Sequence, residues 1–245
     1  ELSNAEMHLY SRQILLDGWD IDAQEKLKLA NVLIIGAGGI GCTSAELLAR
    51  AGVGKITLLD GDTIEISNLQ RQIAFSPKDL GRFKAEVLAK HLRNINPHIQ
   101  VSYQNMRLDE HNADDLVQHQ DLVLDGCDNF ATRYLVNATC RKHQVALLSA
   151  SAIGFEGQLF MVDTDSACYE CLFPREHQQS EGLRCAESGV LATTPVVIAS
   201  LQAHHRLLFL GLGLTPLKQK LLLWNGLSLS QRILQFERDA NCPVC

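Results

Sequence analysis

The chain is predicted to form an α/β domain with a mostly parallel sheet and helices on both faces. Two observations support this class. Strand-like apolar runs alternate with helical stretches as far as about residue 153, which is the pattern of successive βαβ units. One of these strands, at residues 31–36, ends in a glycine-rich turn that leads into a helix, as it does in Rossmann-like sheets.

The elements can be assigned in order along the chain. Residues 3–16 predict a helix with an N-cap at Ser3 or Asn4, since short polar side chains favour that position. Further helices are expected at 23–30, 42–52, 81–96 and 131–144, with strands at 31–36, 55–60, 99–104, 121–126 and 145–153. Later residues add strands at 157–163, 220–226 and 230–237 and a helix near 191–210. We interpret these as an antiparallel C-terminal extension of the sheet.

Size and charge restrict the class of protein. A chain of 245 residues suits one large α/β domain. The net charge of −6 argues against a nucleic-acid partner. No signal peptide is visible at the N-terminus, and the apolar stretch 190–203 is too short to span a membrane. We therefore expect a cytoplasmic protein that binds neither membranes nor nucleic acids.

The glycine-rich turn indicates a nucleotide site. Gly36, Gly38 and Gly41 match the pattern G-x-G-x-x-G, which places a phosphate group at a helix N-terminus. Asp60 ends the next strand, where a carboxylate can bind ribose hydroxyls. NAD and ATP both contain adenosine, so these residues alone do not separate a dinucleotide site from an ATP site.

A polar cluster after Asp60 favours a polyphosphate. It contains Asn68, Gln70 and Arg71, and Lys84 follows early in the next helix. Arginine and lysine are the side chains that neutralise phosphate charge. For Lys84 alone, a solvent-exposed helix lysine is the simpler interpretation, whereas the whole cluster beside a glycine turn favours phosphate binding.

The stretch DGCDNFATR, residues 125–133, follows a buried strand. Asp128 could hold Mg²⁺ against a triphosphate, because this ion prefers hard oxygen ligands. Alternatively, Asp128 or Asn129 caps the next helix. The two roles are compatible.

Two C-x-x-C pairs indicate a metal site. They comprise Cys168 with Cys171 and Cys242 with Cys245. Four thiolates can bind zinc tetrahedrally and leave no open position, which favours a structural site over a pair of redox disulfides.

The other cysteines have different surroundings. Cys42, Cys127 and Cys140 are expected to be small buried side chains. Cys185 lies in a polar stretch next to Arg184, where a neighbouring cation favours the thiolate. It is either a nucleophile or an incidental surface cysteine.

Several motifs taken together resemble one family, the MoeB/ThiF family of bacterial relatives of ubiquitin-activating enzymes. The resemblance covers nearly the whole chain and rests on YSRQILL, GAGGIG, LLDGDTIEISNLQRQ, DGCDN, CYECL, CAESGV and CPVC, in this order. It implies an adenylyltransferase. The C-terminal Gly-Gly carboxylate of a small ubiquitin-like sulfur carrier protein attacks the α-phosphate of ATP, giving an acyl-adenylate and pyrophosphate.

The resemblance also implies roles for individual residues. Gly39 and the neighbouring amides would hold phosphate, Asp60 the ribose and Asp128 Mg²⁺. The triphosphate would be oriented by Asn68, Arg71 and Lys84, while Ser67, Leu69, Gln70 and Asn129 lie in the same nucleotide-binding stretches. Zinc would be bound by Cys168, Cys171, Cys242 and Cys245.

The remaining implications concern partners and domain organisation. Arg12 would reach the nucleotide of a second subunit, so a homodimer is implied. Cys185 would act after adenylation, if at all, with a cysteine desulfurase or a rhodanese as possible sulfur donor. We expect a single domain with N-terminal helices at 1–30, a nucleotide-binding part at 31–153 and a carrier-binding and zinc part at 154–245.

Two branches of the family and one other class compete. The opening residues and CAESGV favour the molybdopterin-synthase branch, whereas YSRQILLDG and SASAIGFEGQL favour the thiamin branch. The helix from His204 to Leu208 departs from both, which puts partner recognition in doubt. We favour the molybdopterin branch. An NAD(P)-binding oxidoreductase is the alternative of another class, and the SNLQRQ stretch argues against it.

Overall fold

The computed structural model describes residues 1–175 and 189–245 of the chain, and its centre is an eight-stranded sheet in the order β3-β2-β1-β4-β5-β6-β7-β8. The strands are β1 (Asn31–Ile35), β2 (Lys55–Leu59), β3 (Gln100–Gln104), β4 (Leu122–Asp125), β5 (Ala146–Ile153), β6 (Glu156–Val162), β7 (Lys220–Asn225) and β8 (Ser230–Gln235). Strands β1 to β5 pair in parallel, and β6, β7 and β8 add antiparallel to β5. The predicted antiparallel extension is therefore confirmed.

Helices cover both faces of the sheet, as predicted. They are α1 (Asn4–Leu9), α2 (Ser11–Ile14), α3 (Asp20–Leu29), α4 (Gly39–Ala51), α5 (Lys84–Ile95), α6 (Ala113–Val117), α7 (Phe130–His143), α8 (Tyr169–Leu172) and α9 (Thr193–Leu212). One hydrophobic core lies between the sheet and α3, α4, α5 and α9. The other lies beneath α6, α7 and α8. Within the described ranges, no helix is long and apolar enough to cross a membrane.

The central strands are apolar on both sides because each side contributes to a core. In β1, Val32 and Ile34 belong to the first core, whereas Leu33 and Ile35 belong to the second. Buried parallel strands of this kind read as continuous apolar runs. This explains why they were recognisable in the sequence.

The N-terminal residues form two helices where one was predicted. The Ser3 hydroxyl caps α1 by accepting a hydrogen bond from the N–H of Glu6, and the Glu6 carboxylate accepts one from the N–H of Ser3. The helix then ends at Tyr10, whose buried side chain accepts a 2.7 Å hydrogen bond from Asn96. This long-range contact lies at the residue where α1 ends and α2 begins.

Two further differences between the predicted and the observed structure concern a short helix and the burial of one cysteine. Helix α6 was not predicted, since five residues are too few to show a helical period. Cys42 and Cys140 are buried, as expected, but Cys127 is partly exposed.

The strand order determines where a ligand can bind. Strand β1 lies between β2 and β4, so the connections from β1 and β4 leave in opposite directions. In open α/β sheets, ligands bind at such a switch point, outside the carboxyl ends of the strands. The glycine turn after β1 and the turn after β4 form the two sides of this crevice.

Candidate active site

The turn after β1 requires glycine because two backbone segments approach each other closely there. Gly36 has a φ of +91°, and a Cβ there would lie 3.2 Å from the carbonyl oxygen of Gly126, in the turn after β4. A Cβ at Gly41 would overlap the carbonyl oxygen of Gly36. These glycines let the turns after β1 and β4 touch and let α4 begin directly against the strand.

The N-terminus of α4 offers backbone N–H groups to an anion. Gly38 is the N-cap and has no side chain to satisfy them. A Cβ at Gly39 would lie 3.4 Å from Cγ of Arg71, so the arginine side chain passes close to the first turn of the helix. Free amides and a neighbouring guanidinium together form a site for phosphate.

Asp60 holds the glycine turn in place. One carboxylate oxygen accepts a 2.7 Å hydrogen bond from the N–H of Ala37, and the other accepts a 2.7 Å bond from the N–H of Asp62. Burial raises the pKa of Asp60, although the backbone bonds partly oppose this. Carboxylate oxygens accept more than one bond, so binding of ribose, which remains a prediction, is compatible with this structural role.

Lys84 is buried, so its interpretation as a solvent-exposed lysine was wrong. Its ammonium lies 3.4 Å from one oxygen of Asp62, and Arg107 donates a 2.8 Å hydrogen bond to the other. Although burial opposes ionisation, Arg107 and Lys84 lower the pKa of Asp62. A buried ammonium with one carboxylate contact remains able to bind phosphate.

Arg107 is a charged residue of this cluster that was not among the predicted site residues. The residue is exposed and follows β3, at the same edge of the sheet as Asp62. Its pKa is raised by the hydrogen bond to Asp62 and that residue's charge. Because neighbouring parallel strands end at a common edge, its position after β3 was the available signal.

Residues 67–71 form an ordered connection after β2. Asn68 is buried, and its side-chain oxygen accepts a 3.0 Å hydrogen bond from the N–H of Glu65. Arg71 donates to the carbonyl of Ser67 at 2.9 Å, and Gln70 donates to that of Val190 at 3.2 Å. Leu69 packs against the first core. The predicted polar cluster is thus fixed beside the glycine turn, while its contacts with nucleotide remain predictions.

Asp128 and Asn129 are neighbours in the turn after β4, where the Asn129 side chain donates a 3.4 Å hydrogen bond to the Asp128 carboxylate. Asn129 is the N-cap of α7 and accepts a 2.9 Å hydrogen bond from the N–H of Thr132. Asp128 is exposed at the switch point. The capping alternative therefore applies to Asn129, and the carboxylate of Asp128 can coordinate a cation.

Arg12 lies apart from this cluster. It is exposed on α2, and the adjacent Gln13 donates a 3.1 Å hydrogen bond to the carbonyl of Ala51 at the C-terminus of α4. The glycine turn is at the other end of α4, roughly 20 Å away for a helix of this length. Arg12 is therefore remote from the glycine turn of its own chain, and its contact with a second subunit remains a prediction. Cys185 lies outside the described residues.

The four cysteines of the C-x-x-C pairs come together, as predicted. The distances between sulfur atoms are 3.9 Å for Cys168–Cys171, 3.6 Å for Cys168–Cys242 and 3.6 Å for Cys171–Cys245. Four ligands around zinc, with Zn–S bonds of about 2.3 Å, have sulfur atoms about 3.8 Å apart. The cluster therefore has the dimensions of a tetrahedral metal site, and all four thiols are free.

The electrostatics of the cluster differ from one thiol to another. Burial raises the pKa of the Cys168 and Cys171 thiols, which are close to other sulfur atoms. Burial opposes ionisation of Cys245 as well, yet hydrogen bonds from Cys168 and Cys171 lower its pKa. A bound cation stabilises all four thiolates at once.

Comparisons with known proteins agree with this geometry. The chain is 41% identical to the molybdopterin-synthase adenylyltransferase of Escherichia coli K12 over 247 residues, covering 100% of this chain and 98% of the relative. It is 42% identical to the sulfur carrier protein ThiS adenylyltransferase of the same strain over 238 residues, covering 96% and 94%. A crystal structure of E. coli MccB with ATP superposes with a TM-score of 0.86 at 27% identity, covering 99% of this chain and 75% of MccB. The sequence profile of the ThiF family matches residues 10–244, and the chain belongs to this family.

Proposed function

We propose that this protein uses ATP to adenylate the C-terminal carboxylate of a small ubiquitin-like sulfur carrier protein. The observation that carries the proposal is the buried ammonium of Lys84 at the sheet edge that also holds the glycine turn and Arg71. Hydride transfer has no need of this concentration of positive charge, whereas transfer of a nucleotidyl group does. The adenylyltransferase names of the relatives support the same activity.

The reaction makes one bond to phosphorus and breaks another. An oxygen of the carrier carboxylate attacks the α-phosphorus of ATP, and the bond to the bridging oxygen of the leaving pyrophosphate breaks. The amides of α4 and the side chains of Arg71 and Lys84 would stabilise the charge that develops on the phosphates. Asn68 would orient the triphosphate, and Asp60 would bind the ribose.

Asp128 would hold Mg²⁺, which when bound neutralises phosphate oxygens. The fit rests on its exposed carboxylate at the switch point. Arg12 of a second copy would complete the charge balance, so we propose a homodimer. Zinc would be structural at Cys168, Cys171, Cys242 and Cys245, since four thiolates leave no open position.

We favour the small subunit of molybdopterin synthase as the carrier, with the thiamin-pathway carrier as second candidate. Identities of 41% and 42% to the two relatives do not separate the branches. The preference rests on the opening residues and on CAESGV. Residues 154–245 would contain the carrier-binding part, and a cysteine desulfurase or rhodanese would supply sulfur after adenylation.

The test is ATP–pyrophosphate exchange with each of the two carriers offered separately. We expect exchange with the molybdopterin-type carrier. Lys84→Ala should lower the rate by about 10²-fold or more, whereas Lys90→Ala, an exposed lysine on the same helix, should leave it unchanged. Exchange with the thiamin-type carrier alone would assign the protein to the thiamin branch. Absence of exchange with both carriers would refute the proposed activity.

Cys185 requires a separate experiment because its proposed step follows adenylation. Cys185→Ser should retain full exchange activity with the carrier. Loss of exchange in this variant would contradict a role after adenylation.

A further inference from the structure

A buried ion pair lies directly beneath the turn that carries Asp128. Asp125 is the last residue of β4 and Arg133 is in the first turns of α7, and they are 1% and 6% exposed. One nitrogen of the guanidinium lies 3.4 Å from the Asp125 carboxylate. Ser149, on the neighbouring strand β5, donates a 2.8 Å hydrogen bond to the same carboxylate oxygen and accepts a 3.0 Å bond from Arg133.

The pair holds the backbone of Cys127 from two directions. The Asp125 carboxylate accepts a 2.9 Å hydrogen bond from the N–H of Cys127, and Arg133 donates to the carbonyl of Cys127. Arg133 also donates a 3.1 Å bond to the carbonyl of Ala150 on β5. The backbone N–H and C=O of Cys127, the residue before Asp128, are therefore both hydrogen-bonded to buried side chains.

This arrangement restrains the side of the crevice that faces the glycine turn. Gly126, in the same turn, is the residue that a Cβ at Gly36 would approach. Asp128 itself is exposed, so burial of its own side chain does not set its position. The ion pair is desolvated and well hydrogen-bonded, so its two side chains are held in one defined arrangement. Relative to apolar side chains of similar size, such a pair adds little net stability.

From these contacts we propose that Arg133, together with Asp125, is a positioning residue that sets Asp128 for the metal of Mg·ATP. The inference rests on the proposed function and deepens it. Groups that orient a metal ligand commonly alter metal affinity by about 10- to 100-fold when they are replaced. A purely structural arginine would instead change stability without changing the dependence of nucleotide binding on Mg²⁺.

The experiment measures equilibrium binding of a fluorescent ATP analogue as a function of Mg²⁺ concentration, with no carrier present. We expect Arg133→Gln to raise the Mg²⁺ concentration for half-maximal binding by about 10-fold, while binding without Mg²⁺ stays within about 2-fold. Arg133→Lys keeps the charge and should recover part of the effect.

A second arginine on α7 supplies the matched control. Arg141 also donates to backbone carbonyls, those of Asp163 and Thr164, but it lies two turns further along the helix. Arg141→Gln should leave the Mg²⁺ dependence unchanged. If Arg133→Gln does not fold, Ser149→Ala removes the hydroxyl that joins the pair and should shift the dependence in the same direction.

Failure of the positioning role can be distinguished from failure of the proposed adenylation. An unchanged Mg²⁺ dependence in folded Arg133→Gln or Ser149→Ala would overturn the positioning role alone. A chain that binds Mg·ATP and shows the expected shift, but exchanges no pyrophosphate with a carrier, would refute the adenylation and leave the positioning role supported.

Discussion

The parallel and antiparallel parts of the sheet are stabilised in different ways. Every residue of β4 is buried, whereas no residue of β8 is. The parallel strands pack against helices on both faces. At the other end, Ile233 and Leu234 of β8 are substantially exposed, and the chain beyond β8 contacts the N-terminus of α8 and the helix itself through Cys242 and Cys245.

The difference indicates what a metal at the cysteine cluster would contribute. The parallel part gains its stability from apolar burial, at about 25 cal/mol per Å² of buried apolar surface. The C-terminal residues bury little apolar surface, so four thiolates and a metal would supply what the core does not. The proposed nucleotide site belongs to the first part and should keep its shape when the second is disturbed.

The largest effect is expected from a substitution that disrupts the parallel part itself. Gly41→Ala places a methyl group on the carbonyl oxygen of Gly36, and the backbone of α4 cannot yield without leaving the strand. We expect a loss of more than about 4 kcal/mol in the free energy of unfolding, measured with urea. Gly38→Ala is the control, because its Cβ would meet its nearest neighbour at 3.8 Å. Equal losses in both variants would contradict the geometry.

A smaller effect is expected when only the C-terminal part is disturbed. Cys242→Ser removes one of the four proposed zinc ligands, so the variant should bind less zinc than the parent chain and its last ten residues should become sensitive to protease. Zinc can be measured with a metallochromic dye, and residues 1–153 should remain resistant. Cys42→Ala, a buried cysteine of the first core, should retain the metal. Digestion of the parallel part in Cys242→Ser would show that the two parts are not independent.

The smallest effect concerns a polar contact between two of the N-terminal helices, α1 and α3. Glu6 is buried and lies 2.9 Å from Lys28. Although burial opposes ionisation, the hydrogen bonds from Lys28 and Ser3 lower the pKa of Glu6 from 4.5 to about 2. Because the folded-state value is the lower one, this stabilisation is complete above pH 4.5 and is lost as the pH falls towards 2.

Glu6→Gln tests this contribution. The variant should be less stable than the parent chain by about 2 kcal/mol at neutral pH. This difference should narrow between pH 4.5 and pH 3, as followed by urea unfolding. Asp17→Asn, at an exposed position, should produce no such pH-dependent difference. A constant difference at every pH would assign the effect of Glu6 to packing.

Local sequence patterns were sufficient to predict most of the fold. Apolar runs such as Leu122–Asp125 and the helix from Phe130 to His143 were visible because their residues repeat with a strand or helix period. The break at Tyr10 was not visible in the local pattern, and the side chain at this point is hydrogen-bonded to Asn96, 86 residues away. The position of Arg107 after β3 was visible in the sequence, but its contact with Asp62, 45 residues away, was not.

The sequence by itself determined the class of fold, the glycine turn, the polar stretch after β2 and the two cysteine pairs, since each is a local pattern with its own chemistry. The tertiary structure decided how these parts act together. It buries Lys84 against Asp62, and it brings cysteines 74 residues apart to within 3.6 Å. It also places Arg133 beneath Asp128. Burial and distance depend on the packing of segments far apart in the chain, which no local pattern contains.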